Sequence, residues 1–182
     1  MRLFVGIDIP PSIRERLKLM TGGVPGARWT EPESYHLTLR FIGEVDRPMA
    51  ERIDVMLSEL SAPAFELELH GVGQFGTGRK ARALWAGVVA SPALAHLARK
   101  VDRAVVAAEL PPDDRNFTPH VTIARLKGAP MDRIMRFLSE NALFRAPAFA
   151  VDRFTLFESR QGNERAVYVS LADYPLEGSG PL

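Results

Sequence analysis

Runs of alternating or aliphatic-rich residues cover Leu3 to Ile9, Tyr35 to Ile42, Phe65 to Leu69, Ala83 to Val89, Pro119 to Leu126, Phe149 to Phe157 and Ala166 to Leu171. Each reads as a strand. Between them apolar residues recur at helical spacing. Pro10-Pro11-Ser12 opens the first such stretch, with Ser12 as cap and Ile13, Leu17 and Met20 on one side. Asp46 to Leu60 forms the second, with Met49, Ile53, Met56, Leu57 and Leu60 inward. Ser91-Pro92 opens a third that runs to about Leu110, and Met131 to Glu140 is the fourth. Gly22-Gly23, Pro25-Gly26 and Pro63 punctuate the pattern. Gly71 to Arg82, with four glycines and three basic residues, reads as a loop, and Pro111 to Arg115 as a polar one. The order is β-α-β-α-β followed by β-α-β-α-β-β, an α+β arrangement.

The two halves match in residues as well as in elements. Phe4-Val5-Gly6-Ile7 leads through a proline-opened helix to His36-Leu37-Thr38-Leu39, then Gly43. Trp85-Ala86-Gly87-Val88 leads in the same way to His120-Val121-Thr122-Ile123, then Gly128. The offsets are 81 residues for the first pair and 84 for the second. Such near-constant spacing points to an internal duplication and directs attention to symmetric chemistry.

On a strand, side chains alternate between faces. His36, Thr38 and Arg40 therefore share one face, and His120 and Thr122 share the equivalent one. The aliphatic neighbours Leu37, Leu39, Val121 and Ile123 face the helices. If an approximate two-fold relates the halves, the two histidines and two threonines converge on one cleft. Splitting a phosphodiester needs a base for the attacking water and an acid for the leaving alkoxide. Histidine supplies either near neutral pH. A threonine hydroxyl on the same face can hold a non-bridging phosphate oxygen. Attack and departure lie on opposite sides of phosphorus, so hydrogen-bond reach from each side places the ring nitrogens roughly 5–7 Å apart. A metal site is the competing reading for paired histidines, but the motif faces offer no carboxylate or thiolate to complete a ligand set. His70 and His96 lack a threonine partner and read as structural or solvated.

Composition narrows the field. There are no cysteines, which removes disulfides, thiolate metal sites and cysteine nucleophiles. Net charge is +1, from 23 Lys+Arg against 22 Asp+Glu, unlike a protein that coats long duplexes. The opening residues are too short an apolar run for a secretory signal, and no stretch approaches the roughly 20 apolar residues of a membrane span. A reduced, cytoplasmic setting with no membrane partner is expected, and so is a monomer. Only the Gly- and Pro-rich end, Glu177 to Leu182, reads as disordered.

The sequence resembles the two-histidine phosphoesterase superfamily, in particular its RNA 2′,3′-cyclic phosphodiesterases, also called bacterial and archaeal 2′-5′ RNA ligases. Its paired HxTx motifs carry the resemblance, together with Arg2 to Asp8, Trp29, Arg40-Phe41-Ile42-Gly43, Gly71 to Phe75, Leu84 to Gly87 and Phe117 to Arg125. One departure is Ile123, where Leu is usual. The resemblance implies one bilobal domain over residues 1–182, with two mainly antiparallel sheets lining a central cleft and helices outside. It implies hydrolysis of a 2′,3′-cyclic phosphate end to a 2′-phosphate without metal or cofactor. It assigns His36 as proton donor to the leaving 3′-oxygen and His120 as proton acceptor from water. The residues alone leave that order open. In reverse the same groups would join tRNA halves through a 2′-5′ bond.

Arg40, Arg125 and Phe75 are further candidates for contact with substrate. Arg40 shares the catalytic face by parity, Arg125 falls opposite His120, and Phe75 could stack a base or pack in the core. The run Arg79-Lys80-Ala81-Arg82 could guide an RNA backbone. Two other functions compete. One is an RNA-end or tRNA-binding protein with incidental turnover. The other is a phosphodiesterase of small nucleotides such as a cyclic ADP-ribose phosphate or 2′-5′ oligonucleotides.

Overall fold

A computed structural model describes residues 1–178 of the 182-residue chain. Ten strands and four helices follow in order: β1 (Arg2–Asp8), α1 (Pro11–Leu19), β2 (Arg28–Trp29), β3 (His36–Glu44), α2 (Arg47–Ser58), β4 (Phe65–Leu67), β5 (Leu69–Phe75), β6 (Ala83–Val88), α3 (Pro92–Ala107), β7 (His120–Arg125), α4 (Met131–Glu140), β8 (Phe149–Val151), β9 (Arg153–Gln161) and β10 (Ala166–Pro175). Single 3-10 turns occupy Pro32–Ser34 and Gly78–Lys80. The α+β class follows: an antiparallel sheet of eight strands, a two-stranded antiparallel sheet of β4 and β8, and helices packed on one face.

Along the main sheet the order is β10-β9-β1-β3-β7-β6-β5, with β2 attached to β7. The motif strands β3 and β7 are central. They touch through one register pair, Leu37 opposite Val121, and both side chains are fully buried. Beyond that pair they diverge, and β2 fills the edge of β7 that β3 leaves. The core lies between the aliphatic face of the sheet (Val5, Ile7, Leu37, Leu84, Val121, Leu156) and the inward stripes of the helices (Ile13, Leu17, Ile53, Leu57, Leu97, Val101, Ile134). Leu37 sits at the join, so Leu37→Ala would cost on the order of 2–5 kcal/mol in lost burial and cavity.

Helix starts follow capping chemistry. Asp46 accepts from the Met49 amide at 2.9 Å, and Ser91 from that of Leu94 at 3.1 Å, with proline in the first turn of each helix. The expected cap at Ser12 is not used. Pro10 occupies the capping position, Pro11 begins α1, and Ser12 lies within the helix.

Three sequence expectations change. The stretch expected as a glycine-rich loop from Gly71 is strand β5 as far as Phe75, paired with β6. The reason is Trp85, whose indole lies on Gly73; a Cβ there would stand 2.3 Å from the ring. Phe65–Leu69 and Phe149–Phe157 are each split, because β4 and β8 leave the main sheet to pair with one another. At the C-terminal end, Glu177 bridges Pro63 and its amide donates to the Ala62 carbonyl at 2.8 Å, so it is held in place. Residues 179–182 lie outside the described residues. No helix among the described residues is long and apolar enough to cross a membrane.

Candidate active site

His36 and His120 each begin their strand, half-buried, and each imidazole is locked in the same way. Nδ1 of His36 lies 2.8 Å from the Ser34 carbonyl, and Nδ1 of His120 lies 2.6 Å from that of Thr118. A carbonyl only accepts, so Nδ1 carries the proton in both neutral rings. Nε2 is then the free, basic nitrogen, and the backbone two residues upstream fixes that tautomer twice. Thr38 and Thr122 follow on the same face, half-buried, and neither hydroxyl is bonded to another group among the described residues.

The surroundings of the rings differ. His36 packs against Phe4 at 4.7 Å between centroids, takes Tyr168 edge-on at 4.9 Å, and has Phe157 at 6.3 Å. His120 meets Phe75 edge-on at 4.7 Å and Trp85 at 6.2 Å. Burial among these rings disfavours the charged imidazole. The His36 pKa falls to about 4, chiefly by burial; the Ser34 carbonyl opposes this, the His120 charge adds to it, Asp8 opposes, and Arg125 lowers it further. His120 is also lowered, by burial first and by Arg125 last, against the Thr118 carbonyl. His36 thus senses the charge of His120, and both rings share one cation, Arg125.

Both arginine placements read by strand parity reverse. In β3, Gly6 pairs with Thr38 and Val5 with Arg40, leaving Leu39 as a bulge. In β7, Trp85 pairs with Thr122 and Leu84 with Ala124, leaving Ile123 as a bulge. An extra residue flips the alternation beyond it. Arg40, expected on the histidine face, is turned to the helix side and is 8% exposed. There its guanidinium pairs with Asp102 of α3 at 2.7 Å, approaches Asp113 at 3.8 Å, and donates to the carbonyls of Phe41 and Pro111. Arg125, expected opposite His120, is exposed on the cleft face. Phe75 is half-buried against His120, with the Arg82 guanidinium over its ring at 5.6 Å. His70 and His96 are exposed and touch neither motif histidine.

The same bulge brings forward residues that the motifs alone do not name. Phe41, five residues after His36, lies on the cleft face with 47% exposure, and Arg115 lies over its ring at 5.4 Å. Arg125 is five residues after His120, so Phe41 and Arg125 occupy matching places. Aligning the two motifs two residues past each bulge would have found Phe41 and turned Arg125 to the cleft. Asp113 binds Arg115 at 3.0 Å, so the buried Arg40 also ties down the loop that carries Arg115. Beside Phe41 this loop walls a groove of about 290 Å³ with Arg40 and Gly43. Beside Arg28 a groove of about 400 Å³ runs past Lys18, Thr21 and Thr30. Among the described residues no group of three or more His, Asp or Glu side chains is arranged to hold a metal.

These features have relatives. An RNA 2′,3′-cyclic phosphodiesterase of Archaeoglobus fulgidus is 37% identical over 130 residues, covering 70% of this chain and 73% of the relative. That of Aeropyrum pernix is 32% identical over 160 residues, covering 87% and 90%. That of Escherichia coli is 30% identical over 183 residues, covering 96% of each. The structure of E. coli LigT complexed with 3′-AMP superimposes with a TM-score of 0.76 at 27% identity, over 97% of this chain and 98% of that one. TT0787 of Thermus thermophilus gives 0.75 at 27% identity, over 99% and 100%. The family model described as the 2′-5′ RNA ligase superfamily matches residues 10–163, and by that match and these identities the chain belongs to that superfamily.

Proposed function

We propose that the protein is an RNA 2′,3′-cyclic phosphodiesterase that opens the cyclic end to a 2′-phosphate, with His36 as proton donor and His120 as proton acceptor. The observation that carries this reading is the matched pair of imidazoles. Each is held by a backbone carbonyl two residues upstream, and among the described residues neither its Nε2 nor the threonine hydroxyl two residues on has a partner.

In the forward reaction Nε2 of His120 takes a proton as the water oxygen attacks phosphorus. The bond from phosphorus to the 3′-oxygen breaks, and the departing oxygen takes the proton from Nε2 of His36. One water is consumed, and the products are a 2′-phosphomonoester and a 3′-hydroxyl. His36 ends neutral and His120 charged, and exchange with solvent restores both. Thr38 and Thr122 donate to the non-bridging oxygens, and Arg125 offsets their charge.

The free protein keeps His36 neutral at pH 7, since its pKa is about 4. The substrate therefore helps to load the acid. A phosphate anion between the rings favours the imidazolium. The acid and base order follows the family resemblance. Ligation through a 2′-5′ bond is the same site run backward, with a 5′-hydroxyl RNA in place of water.

This reading treats residues 1–182 as one domain of two pseudo-symmetric lobes. The matched bulges at Leu39 and Ile123 and the central place of β3 and β7 support it. Both motifs come from one chain, so a monomer acting in the cytoplasm suffices. The test is incubation of RNA bearing a 2′,3′-cyclic end with the purified protein in chelator and labelled water. A 2′-phosphate product with one labelled oxygen is expected. No turnover, or turnover abolished by chelator and restored by zinc, would overturn the reading.

A further inference from the structure

We propose that Arg28, set beside Arg125, forms a second phosphate subsite. It binds the phosphodiester on the 5′ side of the terminal nucleotide, so the substrate is an oligoribonucleotide rather than a mononucleotide. This inference rests on the cyclic-phosphate reading above and extends it to what lies beyond the reacting end.

The first support is a juxtaposition that costs stability. Arg28 and Arg125 are direct cross-strand partners in the antiparallel pair of β2 and β7, so their side chains leave the same face. Like charges directly opposite one another in such a pair repel. No carboxylate relieves them: neither guanidinium has an ion-pair partner among the described residues. A protein that keeps two unrelieved arginines side by side, next to two histidines poised on one phosphate, presents a site for more than one negative charge.

The second support is how firmly Arg28 is placed. Strand β2 is only two residues long. Yet Trp29 packs on Phe137 of α4 at 5.7 Å, and the Thr30 amide donates to the Ile123 carbonyl at 2.9 Å. The two residues that follow Arg28 are thus both anchored, while its own side chain has no ion-pair partner among the described residues.

The third is the path that leads away. The groove of about 400 Å³ beside Arg28 is lined by Lys18, Thr21 and Thr30. Lys18 likewise lacks a carboxylate partner among the described residues. The one carboxylate on the wall, Glu31, is already paired with Arg165. Hydroxyls and unpaired cations along a groove suit a sugar-phosphate chain. The groove on the other side of the cleft shows the contrast. There Arg40 and Arg115 are each matched by aspartate. Scissile phosphate at Arg125 and next phosphate at Arg28 would then be held by directly paired residues of adjacent strands.

The test compares a nucleoside 2′,3′-cyclic phosphate with the dinucleotide bearing the same cyclic end, and with that dinucleotide carrying a neutral methylphosphonate link. Wild type is expected to prefer the charged dinucleotide in kcat/KM. Either Arg28→Gln or the neutral link should cut the dinucleotide-to-mononucleotide ratio about tenfold, the scale of one charge-assisted contact. The two changes together should cost little more than one. Arg28→Gln should also melt no lower than wild type, because it removes a repulsion. A charged-dinucleotide preference that survives Arg28→Gln, or no preference in wild type, overturns the subsite and leaves the cyclic-ester reading standing. Turnover of none of the three substrates by wild type overturns both.

Discussion

The two motif strands are alike up to their bulges and differ immediately after them. On β3 the residues past Leu39 are Arg40 and Phe41; on β7 those past Ile123 are Ala124 and Arg125. In each strand the first of these is turned to the helices and the second to the cleft. An aromatic ring therefore stands on one side of the histidine pair and a cation on the other. The rule for where a side chain points is shared, and its chemistry is not. On the proposed function, the shared part would present two imidazoles, each held by a carbonyl two residues upstream, to one phosphorus. The unshared part breaks that symmetry: on the proposed function, the Phe41 ring, with Arg115 over it, would take a base on one side and Arg125 would meet phosphate on the other.

The largest effect should come from the shared part, and it should be equal on the two sides. His36→Ala and His120→Ala are each expected to lower kcat about 10²–10⁴-fold on cyclic-phosphate RNA, with the thermal transition retained. The double variant should lose little more than either single one, since acid and base serve one step. A single variant that keeps full activity, or losses that multiply, would break the idea of a pair acting on one phosphate.

The unshared part should give a smaller and unequal result. Arg125→Ala is expected to reduce kcat/KM about 100-fold, as for loss of one preorganised charge on the transition state. Phe41→Ala is expected to raise KM about tenfold, in the range of one base–aromatic stack, and to leave kcat nearly alone. If Phe41→Ala damages kcat as much as Arg125→Ala does, the division into a base side and a phosphate side is wrong.

Arg40 sharpens the contrast from beneath. Its guanidinium joins β3 to Asp102 of α3 and to Asp113 of the loop that holds Arg115 over Phe41. Replacing one partner of a fully buried ion pair costs about 3–5 kcal/mol. Asp102 and Asp113 keep partial access to water, so Arg40→Met should destabilise by about 2 kcal/mol, read from denaturant midpoints. KM for RNA should rise with it as the Arg115 loop loosens. A variant as stable as wild type would show that the network is incidental.

Much of this was legible in the sequence, and the part that was not has a physical reason. Period-two and helical spacings carry the strands and helices because each element buries one face, and the faces of His36, Thr38, His120 and Thr122 follow from parity alone. Parity fails at Arg40 and Arg125 because a bulge adds a residue without changing the hydrophobic pattern: Leu39 and Ile123 look like any other inward aliphatic. The β5 strand was hidden for a different reason. Gly73 reads as a loop residue but is needed where an indole lies on the backbone. Arg28 left no trace, since a strand of two residues has no period, and its meaning comes only from lying across from Arg125.

The smallest expected effects lie along the pH axis. Both imidazoles are depressed, His36 to about 4 and His120 to below its ordinary 6.5. The reactive form needs one ring charged and one neutral, so kcat/KM for the pair should peak on the acidic side of 6.5 and fall on either side. Arg125 lowers both rings and is the last cause for each, so Arg125→Gln should move both limbs upward by a fraction of a pH unit, apart from its rate loss. Stability should follow the same groups. A histidine with a depressed pKa takes up its proton in the unfolded chain first, near 6.5, so the folded state loses stability as pH falls from 6.5 toward 4. The slope is at most about 1.4 kcal/mol per pH unit for one ring. His36→Leu should flatten it, while His120→Leu, on the less depressed ring, should flatten it less. Equal slopes in the two variants would mean that the aromatic box of Phe4, Phe157 and Tyr168 does not set the rings apart, and that the two sides of the cleft differ only in Phe41 and Arg125.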